Sequence, residues 1–236
     1  MVSVTTDTYL SRLEETLPRV LDRMGTALSA AGRAPDSVKL VAVTKGHPLE
    51  AVEAALSMGL TDLGENRVEE LERKVGDLGD ASATWHLIGH VQGRKARLAI
   101  DLADLIHSVD SVRLGERISR MAVEDGGAVS VLAQVNTSGE MSKSGLPVAE
   151  AVEGVQALAE LPGLRVEGLM TMAPFVDDES VLSKAFASLR KVSEEVRSLT
   201  DQVGPELSMG MTNDMEIAIR EGSTMVRIGT ALFGER

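Results

Sequence analysis

The sequence contains no cysteine, so disulfide bonds, thiolate metal sites and cysteine nucleophiles are excluded. Aromatic residues make up only 2% of the chain, which argues against a surface on which nucleic-acid bases stack. No apolar run approaches the length that spans a bilayer, and the polar start of the chain lacks the apolar core of a signal peptide. We therefore expect a cytoplasmic protein without a membrane partner.

Charge and motif content narrow the function classes further. The 236-residue chain has 24 basic and 36 acidic residues, which gives a formal net charge of −12 at pH 7. A strongly acidic chain repels phosphate backbones, so we expect no nucleic-acid partner. No GxSxG, P-loop or GxGxxG motif is present. His86 and His90 have no third ligand nearby in sequence, so no metal site is predicted.

The apolar pattern predicts an α/β fold. After an amphipathic helix at about 6–31, short apolar runs alternate with helix-like stretches, which indicates βαβ units and a parallel sheet. Eight strands close a (β/α)8 TIM-type barrel. We predict such a barrel with an extra N-terminal helix, in a single domain spanning residues 1–236; an open doubly wound sheet is the alternative. The candidate strands are 38–44, 61–64, 85–89, 105–109, 129–136, 164–171, 206–210 and 225–229.

The first predicted strand ends in Thr44, Lys45 and Gly46, at the barrel end where ligand chemistry collects. Strand alternation puts Val41, Val43 and Lys45 on one face, so Lys45 points to the upper rim if the valines face inward. A partly desolvated lysine at that place attacks aldehydes as the free amine. On spacing alone, a lysine that extends to solvent is the commoner case.

The last predicted strand carries Arg227 on the same face as Met225 and Gly229. An arginine within an apolar strand is costly unless it has a partner. The pattern therefore suits either a ligand-facing guanidinium or a buried ion pair with a glutamate.

A patch of small residues rich in hydrogen-bond donors follows the last two predicted strands. It comprises residues 208–213, Gly229 and Thr230. Loops at these places are the usual phosphate site of such barrels, and a helix that begins near Asn213 adds a favourable dipole. An ordinary helix cap at Thr212 or Asn213 explains the pattern equally well.

Two polar residues, Glu65 and Asn66, follow the second predicted strand. They are placed either to orient a ligand or to cap the next helix. Capping is the commoner explanation for such residues.

Several blocks of the sequence, in order, resemble one known family. Together they cover nearly the whole chain, at residues 41–45, 64–66, 85–89, 142–145, 168–170, 207–211 and 218–229. The chain resembles the pyridoxal phosphate homeostasis proteins, also called the YggS or PROSC family. One departure is Thr212, where the family commonly has serine; the hydroxyl is kept.

The resemblance implies a barrel like the N-terminal domain of alanine racemase, with pyridoxal 5'-phosphate (PLP) held as an internal aldimine on Lys45. It implies phosphate contacts from the segment around Met211 and Thr212 and from Gly229 and Thr230. It also implies that Arg227 faces the pyridine nitrogen. We include Asn66 among the cofactor-binding residues and assign no catalytic residue.

Turnover is expected to be small. Racemases that the chain resembles use a tyrosine from a C-terminal β domain, which we expect to be missing because the chain ends at Arg236. The single tyrosine, Tyr9, lies in the N-terminal helix and is not expected to reach the site. A charged Arg227 disfavours protonation of the ring nitrogen and so weakens the ring as an electron sink.

The leading hypothesis is therefore a monomeric carrier or buffer of PLP that serves vitamin B6 and amino-acid homeostasis and supplies apo PLP-dependent enzymes. One alternative is a slow PLP-dependent racemase that uses Lys45 and a second, unidentified base. Another is a Schiff-base aldolase that uses Lys45 without PLP. Whether Lys143 offers a second, looser aldehyde site stays open.

Overall fold

A computed structural model describes residues 5–79, 82–140 and 143–235 of the chain. Strands and helices alternate through most of this part. The strands are β1 Lys39–Val43, β2 Asp62–Glu65, β3 Thr84–Leu87, β4 Leu105–Val109, β5 Val129–Asn136, β6 Leu146–Pro147, β7 Leu164–Met170, β8 Val203–Ser208 and β9 Met225–Ile228. The helices are α1 Thr6–Ala30, α2 Leu49–Ser57, α3 Val68–Leu78, α4 Ala96–Leu102, α5 Val112–Glu124, α6 Ala151–Ala159, α7 Glu179–Leu199, α8 Met215–Arg220 and α9 Thr230–Phe233.

Strand pairing closes the sheet into a barrel. Every strand pair is parallel, in the order β4-β3-β2-β1-β9-β8-β7-β5, and β4 also pairs with β5. The two-residue β6 pairs with β5 outside this ring. The predicted eight-stranded barrel is confirmed, and the open sheet is wrong.

The structure corrects two element predictions. β8 begins at Val203 rather than at 206. The predicted strand is too short because Gly204 and Pro205 interrupt the apolar pattern on which the prediction depends. A Cβ on Gly204 would lie 2.4 Å from the Glu167 carbonyl oxygen, so this strand start requires glycine beside β7. The helix-like stretch between the fifth and sixth predicted strands divides into a 3₁₀ turn at Val148–Glu150 followed by α6.

Two apolar clusters hold the barrel together. The larger one lies between the strands and the surrounding helices. A smaller cluster belongs to the inward faces of the strands and consists of Leu105, Leu132, Met170 and Met225. Arg227 shares the inward face of β9 with Met225, so the interior also contains polar groups.

The extra N-terminal helix, α1, packs against α2, α8 and α9. Side chains of α1 and of the turn after it hold the carbonyl groups of the last two helices. Arg12 Nη1 donates to the Phe233 carbonyl oxygen at 2.6 Å, and Arg33 Nη1 donates to that of Ile219 at 2.8 Å. In the described part of the chain, none of the helices combines the length and apolar character of a membrane span.

Candidate functional site

A cleft of about 820 Å³ lies at the carboxyl ends of the barrel strands, within the usual size range of small-molecule sites. All the residues that the sequence singles out for cofactor binding line it: Lys45, Asn66, Met211, Thr212, Arg227, Gly229 and Thr230. The structure thus brings residues from both ends of the sequence into one site. Lys143 lines the cleft too, and its Nζ donates to the Ala173 carbonyl oxygen at 3.1 Å. Its sequence neighbour Ser142 lies outside the described residues.

Side chains of α3 hold the backbone on both sides of Lys45. Lys74 Nζ donates to the Thr44 carbonyl oxygen at 2.8 Å. Glu70 Oε1 accepts from the Gly46 N–H at 2.6 Å, and the positive φ of 76° at Gly46 suits glycine. The peptide groups flanking Lys45 are therefore fixed, which aims its side chain into the cleft.

Glu65 is the centre of this support. One of its oxygens, Oε1, accepts from Thr44 Oγ1 and from Lys74 Nζ, each at 2.6 Å. Burial raises the pKa of Glu65, although the neighbouring Lys74 ammonium acts in the opposite direction. Neither Glu65 nor Asn66 caps α3, because that helix has Arg67 at its cap position and no side-chain cap. The helix-cap interpretation is wrong.

Arg227 lies buried at the base of the cleft. Its Nη1 donates to Ser208 Oγ at 2.5 Å, and its Nη2 donates to the Thr171 carbonyl oxygen at 2.9 Å. Burial lowers the pKa of Arg227 to about 10, against the influence of Asp214, so the guanidinium stays charged at neutral pH. No carboxylate of the described residues forms an ion pair with Arg227, and the predicted Arg–Glu alternative is therefore wrong.

The segment after β8 forms a tight turn at the predicted phosphate site. The Met211 N–H donates to Asp214 Oδ1 at 2.5 Å, and the Asp214 N–H donates back to the Met211 carbonyl oxygen at 3.2 Å. α8 begins at Met215 with Asp214 at its cap position, so neither Thr212 nor Asn213 is the cap. Sequence reasoning missed Asp214, although aspartate is a common turn residue whose side chain bonds to nearby backbone.

Helix α1 supports the same turn. Arg23 Nη2 donates to the Thr212 carbonyl oxygen at 2.9 Å, and Arg23 Nε donates to Glu216 Oε1 at 2.6 Å. The Ala231 N–H reaches Thr212 Oγ1 at 3.4 Å and so links the two loops. No local sequence pattern identifies Arg23, because its partners lie about 190 positions away.

Gly229 permits close packing at the end of β9. A Cβ at this position would lie 3.1 Å from the Val43 carbonyl oxygen and 3.4 Å from the Val43 Cβ. The end of β9 therefore lies directly beside the end of β1, from which Lys45 projects. An amine, a guanidinium, two threonine hydroxyls and this small-residue wall converge in one cleft. That set of groups fits a ligand with an aldehyde, a phosphate and a ring acceptor.

Tyr9 lies behind one residue of the cleft wall. Its hydroxyl is 2.9 Å from His47 Nδ1, and the imidazole of His47 lines the cleft. Phe233 of α9 packs against both rings. Tyr9 itself does not line the cleft and contacts it through His47, because α1 packs against α2 and α9. His47, two residues after Lys45, was within reach of sequence reasoning and was missed.

Comparison with known proteins agrees with this geometry. Residues 26–236 match the family described as alanine racemase, N-terminal domain. A pyridoxal phosphate homeostasis protein of Aquifex aeolicus is 38% identical over 222 residues, which is 94% of this chain and 97% of that protein. The chain belongs to the pyridoxal phosphate homeostasis proteins, within the alanine racemase N-terminal domain family.

Solved structures show the same relationship. A protein of Bifidobacterium adolescentis without a stated function matches with a TM-score of 0.90 and 41% identity, covering 98% of both chains. PipY of Synechococcus elongatus, solved with PLP bound, matches with a TM-score of 0.79 and 37% identity; the match covers 89% of this chain and all of PipY.

Proposed function

We propose that this protein binds pyridoxal 5'-phosphate, holds it on Lys45 and acts as a carrier or buffer of the cofactor. The observation that carries this proposal is the convergence of Lys45, Arg227 and the turn at 211–214 around one cleft. A relative of the same fold, PipY, was solved with PLP bound, which supports the choice of ligand.

Each group of the cleft has a task in this proposal. The Lys45 amine condenses with the aldehyde carbon of the cofactor; a C=N bond forms and one water leaves. The hydroxyls of Thr212 and Thr230 and the nearby backbone hold the phosphate, and Asn66 completes the wall. Arg227 can only donate hydrogen bonds, so it faces an unprotonated ring nitrogen.

The same arrangement accounts for carriage rather than turnover. A permanently charged Arg227 disfavours a protonated ring nitrogen, and the bound ring is then a weak electron sink. We propose that apo PLP-dependent enzymes receive the cofactor, and that the protein is a cytoplasmic monomer. Size-exclusion chromatography with light scattering tests the monomer.

A transfer assay tests the carrier. PLP-loaded protein, freed of unbound cofactor, is mixed with an apo PLP-dependent enzyme whose recovered activity is measured. We expect wild-type protein and a Lys143→Ala control to restore activity, and Lys45→Ala to restore none. Wild-type protein that takes up no PLP would remove the proposal and leave the aldolase reading of Lys45.

One observation bears on the slow racemase. The Tyr9–His47 pair puts an imidazole on the cleft wall, which makes His47 the candidate for the second, unidentified base. The carrier account expects no measurable exchange of amino-acid α-protons with solvent deuterium. Exchange by wild-type protein that is lost in His47→Phe would establish the racemase instead.

A further inference from the structure

A line of hydrogen-bonded polar side chains runs through the interior of the barrel, away from the cleft. It begins at Arg227 on β9, where Nη1 lies 2.5 Å from Ser208 Oγ on β8. Ser208 Oγ is 2.9 Å from His107 Nδ1 on β4, so the line crosses the barrel interior at this step. We call Arg227, Ser208, His107, His86 and Asp62 the interior chain.

The interior chain continues to the opposite end of the barrel. His107 Nε2 lies 2.9 Å from Nδ1 of His86 on β3. His86 Nε2 lies 2.9 Å from Asp62 Oδ1, at the start of β2, and Lys39 Nζ is 3.4 Å from the same oxygen. His107 and Ser208 are fully buried, whereas the Asp62 side chain is 22% exposed. The chain therefore joins the base of the cleft to solvent-accessible charge.

Hydrogen-bond chemistry fixes the direction of this chain. A guanidinium only donates, so Ser208 Oγ accepts from Arg227 and its own proton is available for His107 Nδ1. His107 then carries its proton on Nε2 and donates to His86 Nδ1. His86 in turn carries its proton on Nε2 and donates to the Asp62 carboxylate. Every donor points away from the cleft and every acceptor towards it.

The reversed direction meets a specific obstacle. If neutral His107 donated from Nδ1 to Ser208, its Nε2 would accept from His86 Nδ1. The lone pair on His86 Nε2 would then face the Asp62 carboxylate at 2.9 Å. A doubly protonated His86 would avoid that contact only by adding a second buried cation to the interior that holds Arg227.

The charge states agree with the first direction. Burial, reinforced by the charge of Arg227, lowers the pKa of His107 well below its ordinary value, so the ring is neutral. Burial acts to raise the pKa of Asp62, but its bond to His86 and its attraction to Lys39 outweigh this and lower it. The interior chain therefore runs from the Arg227 cation, past the neutral ring of His107, to the ionised carboxylate of Asp62.

We propose that Asp62, His86, His107 and Ser208 are positioning residues that orient the Arg227 guanidinium towards the ring nitrogen of the bound cofactor. This inference rests on the proposed function. Arg227 has no carboxylate partner beside it among the described residues, and Asp62, at the far end of the chain, aligns the intervening dipoles. With Nη1 and Nη2 committed to Ser208 and Thr171, the remaining N–H groups are left for the cleft.

The first measurement is made on protein without PLP. Nitrogen-15 NMR of the histidine rings reports which nitrogen carries the proton. We expect both His107 and His86 to be protonated on Nε2 only. In Asp62→Asn the amide is free to donate to His86 Nε2, so we expect both rings to move their proton to Nδ1. A wild-type His107 protonated on Nδ1, or a doubly protonated His86, would contradict the proposed hydrogen-bond direction of the interior chain.

The second measurement is made on PLP-loaded protein. A looser Arg227 withdraws less charge from the ring, so the imine nitrogen on Lys45 becomes more basic. We expect the pH midpoint of the visible absorption band to rise by about 0.5 to 1 unit in Asp62→Asn, comparable to the worth of one hydrogen bond. Ser208→Ala, which removes the link next to Arg227, should give the same shift.

Glu206→Gln is the matched control. Glu206 stands at the same end of the barrel, on β8, where it accepts from Thr224 Oγ1 and takes no part in the interior chain. We expect neither the histidine protonation nor the pH midpoint to change. An unchanged midpoint in both Asp62→Asn and Ser208→Ala would contradict the positioning role. Failure of wild-type protein to take up PLP would instead refute the proposed function. The NMR result on PLP-free protein would still decide the hydrogen-bond direction of the interior chain.

Discussion

Lys74 Nζ lies 2.8 Å from the Thr44 carbonyl oxygen and 2.6 Å from Glu65 Oε1, so one buried ammonium ties the backbone beside Lys45 to a buried carboxylate. This arrangement makes the support of the candidate site a matter of charge as well as packing. The remaining oxygen of Glu65, Oε2, is buried and has no hydrogen-bond partner among the described residues.

Removal of Lys74 should therefore be costly. In Lys74→Met the Glu65 carboxylate loses its cation, and we expect the free energy of unfolding to fall by about 3–5 kcal/mol, as for other broken buried pairs. The double variant Lys74→Met with Glu65→Leu removes both charges and should recover most of that loss. Urea denaturation of both proteins measures the difference. A double variant no more stable than the single one would show that the charge pair is not the cause.

The Arg23–Glu216 pair gives a pH-dependent contribution to stability. Burial acts to raise the pKa of Glu216, but the hydrogen bond from Arg23, a backbone hydrogen bond and the charges of Arg23 and Arg220 together outweigh it, and the folded-state pKa is lowered. The stability that this shift provides is present above the unfolded carboxyl pKa and is lost as pH falls through the folded one. We expect Glu216→Gln to destabilise the protein at neutral pH, with a difference that disappears in acid. Thermal denaturation over a pH series, with Glu14→Gln as an exposed control, checks this; an equal loss at every pH would be inconsistent with the pair.

The packing of Gly229 against Val43 predicts a loss of cofactor affinity when a methyl group is added. In Gly229→Ala the new Cβ meets the Val43 carbonyl oxygen at 3.1 Å, so the ends of β9 and β1 must move apart. We expect PLP binding to weaken by roughly tenfold, or ~1.4 kcal/mol. Gly76→Ala in α3, where a Cβ meets nothing within 4 Å, is the control and should bind as wild type does. Equal affinity of Gly229→Ala and wild type would contradict this account of the cleft wall.

Strand periodicity predicted the barrel and placed several polar side chains at its carboxyl end, whereas their role as cofactor ligands came from the resemblance to a known family. Lys45 and Arg227 each follow inward-facing residues at two-residue spacing, and this alternation depends only on neighbours in sequence. The glycine at 229 and the hydroxyls at 212 and 230 were likewise identified from their places after the last two strands. These are local properties, and the structure brings all of them into one cleft.

The contacts that sequence reasoning missed join distant elements. Tyr9 meets His47 across 38 positions, and Arg23 meets the Thr212 carbonyl across 189. Ser208 meets His107 across 101 positions in the barrel interior. Each contact depends on how helices pack on the barrel or on which strands face each other across it. No periodic pattern in a single sequence contains that information.

The central claim is that Lys45 holds the cofactor, and reduction followed by peptide mapping tests it most directly. Purified protein is saturated with PLP, treated with borohydride, digested and mapped, with Lys143→Ala as a matched control for the other cleft lysine. The account predicts a visible absorption band that disappears on reduction, with the pyridoxyl group on Lys45 in both proteins. A reduced group found on Lys143 or elsewhere, with Lys45 unmodified, would contradict it.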